Sequence, residues 1–104
     1  MVAYNVQHTQ SAENDLLDIL RYIAVELNEP STALRLVDSI DATIETLTTM
    51  PHGCRLVDDE RLASMGFRKL NIKNYIAFFT IDEITETVNI ERILYARRDW
   101  LNIL

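Results

Sequence analysis

The apolar positions of this chain change their period twice. Tyr4, Val6 and His8 alternate with Asn5 and Gln7, the period of a half-buried strand, over residues 2–8. Leu16, Leu20, Ile23 and Leu27 then recur at helical spacing, which places them on one face of an amphipathic helix over residues 11–27. Thr9 or Ser11 can accept the free amide hydrogens of its first turn, where Glu13 and Asp15 suit the helix dipole. "NEPSTA" breaks the pattern, and Pro30 suits the first turn of a second helix. Ala33, Val37, Ile40, Ile44 and Leu47 form its stripe, which ends before Pro51. With so short a connection the two helices must run antiparallel, as a hairpin.

Residues 51–65, "PHGCRLVDDERLASM", show no clear period and predict a loop, with room for one helical turn. After them the pattern becomes that of strands: "GFRKLNI", "YIAFFTID" and "TVNIERILY". Lys73–Asn74 and Glu83–Thr85 are short enough for hairpin turns, so the three strands should form an antiparallel meander. The expected order is β-α-α-β-β-β, an α+β domain over residues 1–104 with a helical hairpin on one face of a small, mainly antiparallel sheet. The last strand fits poorly. Val88, Ile90 and Leu94 share a face with Arg92, while Ile93 and Tyr95 share the other with Asn89 and Glu91. Either a bulge shifts the register, or a partner covers part of the face away from the helices.

Composition narrows the picture. Nearly half of the residues are apolar and only two are glycine and two proline, which favours packed, regular elements over disorder. Cys54 is the single cysteine, so there is no internal disulfide, and a reducing cytoplasm is the expected compartment. No apolar run approaches a membrane span, and "MVAYNVQHTQ" lacks the features of a signal peptide. No His/Cys/Asp/Glu spacing suggests a metal, no glycine-rich phosphate loop occurs, and no cofactor is expected. The net charge of −6 argues against generic nucleic-acid binding. The charge is uneven, however. Residues 1–65 carry four arginines against eleven carboxylates; residues 66–104 carry six cations against five.

The densest basic spot lies in "ILYARRDWLNIL", where a strand ends in Arg97, Arg98, Asp99 and the only tryptophan, Trp100. Together with "YNVQHTQSAENDLLDILRYI", "LTTMP" and "GFRKLNIKNYIAFFTID", in this order, it resembles the RelE/ParE family of toxins from bacterial type II toxin–antitoxin systems. The resemblance covers nearly the whole chain. It implies a growth-arresting toxin of a plasmid-stabilisation module, held inactive by a cognate antitoxin that wraps an extended or helical segment around it. It implies contact with promoter DNA only through that antitoxin. Finally, it implies that the basic end of the last strand faces the target.

The family contains two chemistries. RelE-like members cut messenger RNA in the ribosome, and ParE-like members poison DNA gyrase without a chemical step of their own. For a nuclease, the 2′-hydroxyl needs a base, the phosphorane a cation and the leaving oxygen an acid. The resemblance puts Arg97 at the phosphate-stabilising position and offers Arg68, Lys69 and Lys73 as further cations. Tyr75 or Tyr95 would be the proton donor. The departures favour the ParE-like alternative. "RRDWLNIL" has no Tyr or His, "NYIAFFTID" has no basic residue, and His8 and His52 lie outside the C-terminal strands. The catalytic set, were the chain a nuclease, is Arg97, Arg68 and Tyr95. The contact set is Arg97, Arg98, Trp100, Lys69, Lys73 and Tyr75. A third alternative is a family member that binds antitoxin without toxicity.

Each residue also has a plainer reading. Arg97 and Arg98 would cap the strand end, with Asp99 as a local ion pair. Trp100, Ile103 and Leu104 would pack on the fold. Tyr75, Phe78 and Phe79 would belong to the core. Arg68, Lys69 and Lys73 would be solvated strand positions, and His8 a polar strand end. Cys54, beside Arg55 and His52, lacks a partnering acid at a suitable spacing for an activated thiol.

Overall fold

The computed structural model describes residues 3–104, so Val2, the first residue of the expected opening strand, lies outside it. Strand β1 spans Asn5–His8 and leads through Thr9 into helix α1, Gln10–Arg21. Thr9 is the N-cap, its hydroxyl accepting the Ala12 amide at 3.1 Å. The helix continues as a π turn over Tyr22–Glu26, closed by the Leu27 amide donating to the Tyr22 carbonyl at 3.1 Å. This wider turn shifts the helical phase. Leu27, expected on the buried face, is therefore 53% exposed, while Ile23 stays buried. Helix α2, Pro30–Glu45, follows a turn in which Asn28 takes a positive φ of 53°.

The loop of residues 51–65 contains a 3-10 turn at Pro51–Gly53 and a short helix α3, Glu60–Ser64. Asp59 caps α3, and Gly66, at φ 85°, ends it. The Phe67 amide then returns to the Leu62 carbonyl, and the Gly66 amide to that of Ala63. Three strands follow: β2 (Arg68–Ile72), β3 (Tyr75–Asp82) and β4 (Thr87–Tyr95). They pair as the expected antiparallel meander, and β1 joins β4 in parallel, giving the order β1-β4-β3-β2.

The face of the sheet under the helices holds the larger core. Ile23, Ala33, Leu36, Ile40, Ile44 and Leu47 meet Ile72, Ala77, Phe79, Val88, Ile90 and Ile93 there. The misfit in β4 has two causes. Phe78 pairs with Arg92 but Phe79 pairs with Ile90, so Glu91 is an extra residue, a β-bulge. Val88, Ile90 and Ile93 consequently share the helix side, and Leu94 does not, which corrects the grouping of Leu94 with Val88 and Ile90. The opposite face is covered as well, by the chain's own segments at one end. Val57 and Leu62, with Phe67, Trp100, Ile103 and Leu104, pack on Ile76, Phe78 and Leu94.

Candidate functional site

β1 ends at His8, opposite Ile90, and β4 runs on through Tyr95. The Ala96 amide still donates to the Asn74 carbonyl, at 2.8 Å. The chain then turns sharply, with Arg98 N–H bonded to the Tyr95 carbonyl and Trp100 N–H to that of Arg98. This turn lays Trp100 on Phe78, with ring centroids 5.0 Å apart. Arg97 and Arg98 are left exposed at its apex. Among the described residues neither forms an ion pair, and Asp99 instead accepts the Asn102 amide. The local ion pair with Asp99 is thus not made.

Tyr95 stands beside this apex, edge-on to Tyr75 with centroids 5.7 Å apart. The two rings join Tyr22, Leu27, Asp18 and Arg98 in lining a groove of about 670 Å³ between α1 and the end of β4. Burial, with the neighbouring Tyr95 and Tyr22 hydroxyls, pushes the Tyr75 hydroxyl above its ordinary pKa, away from the range useful for donating a proton near neutrality.

Arg68 is elsewhere. It pairs with Phe79 whereas Tyr95 pairs with Tyr75, which separates their backbones by about 16 Å across and along the sheet. Its guanidinium donates to the Cys54 carbonyl at 2.7 Å and ties β2 to the loop. Burial pushes the Cys54 thiol up, only partly opposed by Arg68, so this cysteine is not activated. Lys69 is half-buried opposite Phe78, and Lys73 occupies the β2–β3 turn at φ 54°. The sheet therefore brings together Tyr75, Tyr95 and Arg98, with Arg97 adjacent in sequence, and leaves Arg68 and Lys69 apart.

Two polar clusters lie outside the expected set. Glu83, in the β3–β4 turn, accepts the Tyr4 hydroxyl at 3.1 Å and pairs with the ring of His52. The His52 bond, helped by Tyr4, holds the Glu83 carboxyl below the usual range. The second cluster joins Asp15 to β4. Asp15 was expected to serve the α1 dipole; it is instead 9% exposed and accepts both Nε and Nη2 of Arg92, at 2.8 and 2.9 Å. It also accepts the Ile93 amide at 3.0 Å. The Asp15 carboxylate's bonds to Arg92 raise its guanidinium above its ordinary pKa. The available signal was an acid at a core-facing helical position and an arginine within an apolar strand.

Among the described residues no helix is long and apolar enough to cross a membrane, and no His, Cys, Asp or Glu group could hold a metal ion. No curated protein matches the chain. In fold it is similar to a chain of the chromosomal ParDE toxin–antitoxin system from P. aeruginosa, at 22% identity and a TM-score of 0.76, over 91% of this chain and 98% of that one. It is likewise similar to a chain of the toxin–antitoxin complex RelBE2 from Mycobacterium tuberculosis, at 21% identity and a TM-score of 0.62, over 90% and 99%. The sequence family described as the ParE toxin of the type II toxin–antitoxin system parDE matches residues 6–100. Because that match runs from β1 through the β4 bulge to the arginine turn and Trp100, the chain belongs to the ParE toxin family of type II toxin–antitoxin systems.

Proposed function

We propose that this toxin is neutralised by a cognate antitoxin and arrests growth by binding DNA gyrase, without a chemical step of its own. Arg97, Arg98 and the tail that follows them make the contact. The observation that carries this reading is the separation of Arg68 from Arg97 and Tyr95 in the set a nuclease would need. The Arg68 backbone lies about 16 Å from that of Tyr95 and its guanidinium is engaged with Cys54, and Tyr75 has its hydroxyl pushed up. The part of the far sheet face left open by α3 and the tail carries Asp82 and Glu91, which would repel an RNA phosphate chain. The exposed arginine turn, by contrast, suits an acidic protein surface.

The helix-side groove supports the antitoxin half of the proposal. Tyr22 and Val25 on the π turn and Leu27 at its end are exposed, an apolar strip beside the groove of the kind that a partner segment covers. The chain, induced alone in a bacterial host, should give filamentous cells with broken DNA and intact messages. New RNA 5′ ends inside translated codons would overturn the gyrase reading and support a ribosome-dependent nuclease.

A further inference from the structure

Asp15 is the only charged side chain that is buried among the described residues. Its three bonds go to two consecutive residues more than seventy positions away. They fall where β4 has lost its neighbour. Up to Ile90, β4 is flanked by β1 and β3; beyond it only β3 remains. On the open side the start of α1, from its cap to its second turn, takes over. The Thr9 amide donates to the Ile90 carbonyl at 3.0 Å, and the Thr9 hydroxyl to the Glu91 carbonyl at 2.9 Å. Asp15 then takes the Ile93 amide and grips Arg92 with both oxygens.

We infer that Asp15 is a positioning residue for the arginine turn. Its carboxylate stands in for the missing strand and holds the two residues that follow the bulge, so it sets the direction in which β4 delivers Arg97 and Arg98. A bulge bends its strand and increases the local twist. Without a neighbour on one side, the angle of that bend would be set by β3 alone. An ion pair of this kind contributes little net stability compared with apolar packing, so register and direction are the role left to it. The inference rests on the reading that Arg97 and Arg98 touch the target.

The test measures the amount of soluble toxin needed to arrest growth, with amide NMR spectra of the same variants. Asp15→Ala is expected to keep a cooperative melt, to shift the Arg97 and Arg98 amide signals, and to lose about tenfold in potency. Arg92→Lys keeps the charge but not the two-pronged grip, and should lose less. Ile44→Val, a core change on α2 outside the Asp15 cluster, controls for stability and should retain wild-type potency. If Asp15→Ala does not fold, Asp15→Asn, which still accepts the Ile93 amide, should show a partial loss with displaced arginine signals. Undiminished potency in the folded Asp15 variant overturns the inference, as does an equal loss in Ile44→Val. Full potency in Arg97→Ala/Arg98→Ala overturns the contact reading itself, and the inference with it. A loss there beside an unaffected Asp15 variant overturns the inference alone.

Discussion

The carboxylate of Asp15 satisfies three donors, so truncating it leaves the Ile93 amide and the Arg92 guanidinium unmet. Arg92 keeps partial access to water, its side chain being 26% exposed, which limits the cost. Asp15→Ala should therefore destabilise the fold by about 2 kcal/mol. A lowered urea midpoint with an unchanged slope would confirm this; an unmoved midpoint would contradict it. Glu83 gives a pH-dependent case. His52 and Tyr4 bind its charged form, so its folded pKa is depressed and the folded state holds that proton more weakly than the unfolded one. Its contribution is present above the ordinary glutamate pKa and is lost as pH falls through the depressed folded value. Glu83→Gln should accordingly be less stable than the parent at pH 6 and match it at strongly acid pH, as measured by thermal melts. Neither pairing can be read from order along the chain. Asp15 is marked only as an acid at a core-facing helical position until the bulge places Ile93 and Arg92 beside it, and Glu83 reaches His52 across the fold from another turn. Phe78, Phe79 and Trp100 were legible, because bulky apolar residues at strand spacing have few places to go.

Among the elements, the two helices and the meander follow from periodicity, since each stripe has to be buried on a partner. The features that add one residue follow less directly, although the broken alternation of the last strand did leave a bulge as one of its two explanations. The π turn at Tyr22–Glu26 and the bulge at Glu91 shift the phase without a Gly or Pro to mark them, so Leu27 and Leu94 end up on faces that a regular period does not predict. A break that does carry a sequence mark is Gly66, which closes α3 at φ 85°. No atom would obstruct an added Cβ there, so the strain is in the backbone alone. Gly66→Ala should cost about 1 kcal/mol, visible as a small drop in melting temperature, and no drop would refute the strained-cap account. The tail makes a larger claim. Truncation after Asp99 removes Trp100, Ile103 and Leu104 from Ile76, Phe78 and Leu94. It should lower stability by about 3 kcal/mol and raise the binding of a hydrophobic dye. Unchanged dye binding would mean that this face needs no cover.

Across the whole molecule, acid dominates the first two thirds of the sequence, and the fold leaves the exposed arginine pair at a single turn past β4. Two adjacent arginines projecting at one turn of an acidic protein are the feature on which the proposed local contact with another protein, rather than with an RNA backbone, depends. The sequence pattern led to the family and the architecture because both depend on the order of elements. The target depends on which side chains converge, and that is set by sheet register: Tyr75 meets Tyr95, while Arg68 lies two strands away. The central claim is inhibition of gyrase without catalysis. It is tested most directly by titrating the purified toxin into DNA supercoiling by purified bacterial gyrase, beside a ribosome-bound message in the same buffer. The account predicts that supercoiling fails in a saturable, dose-dependent way, that Arg97→Ala weakens the effect, and that the message stays whole. Unimpaired supercoiling with a cleaved message would contradict it.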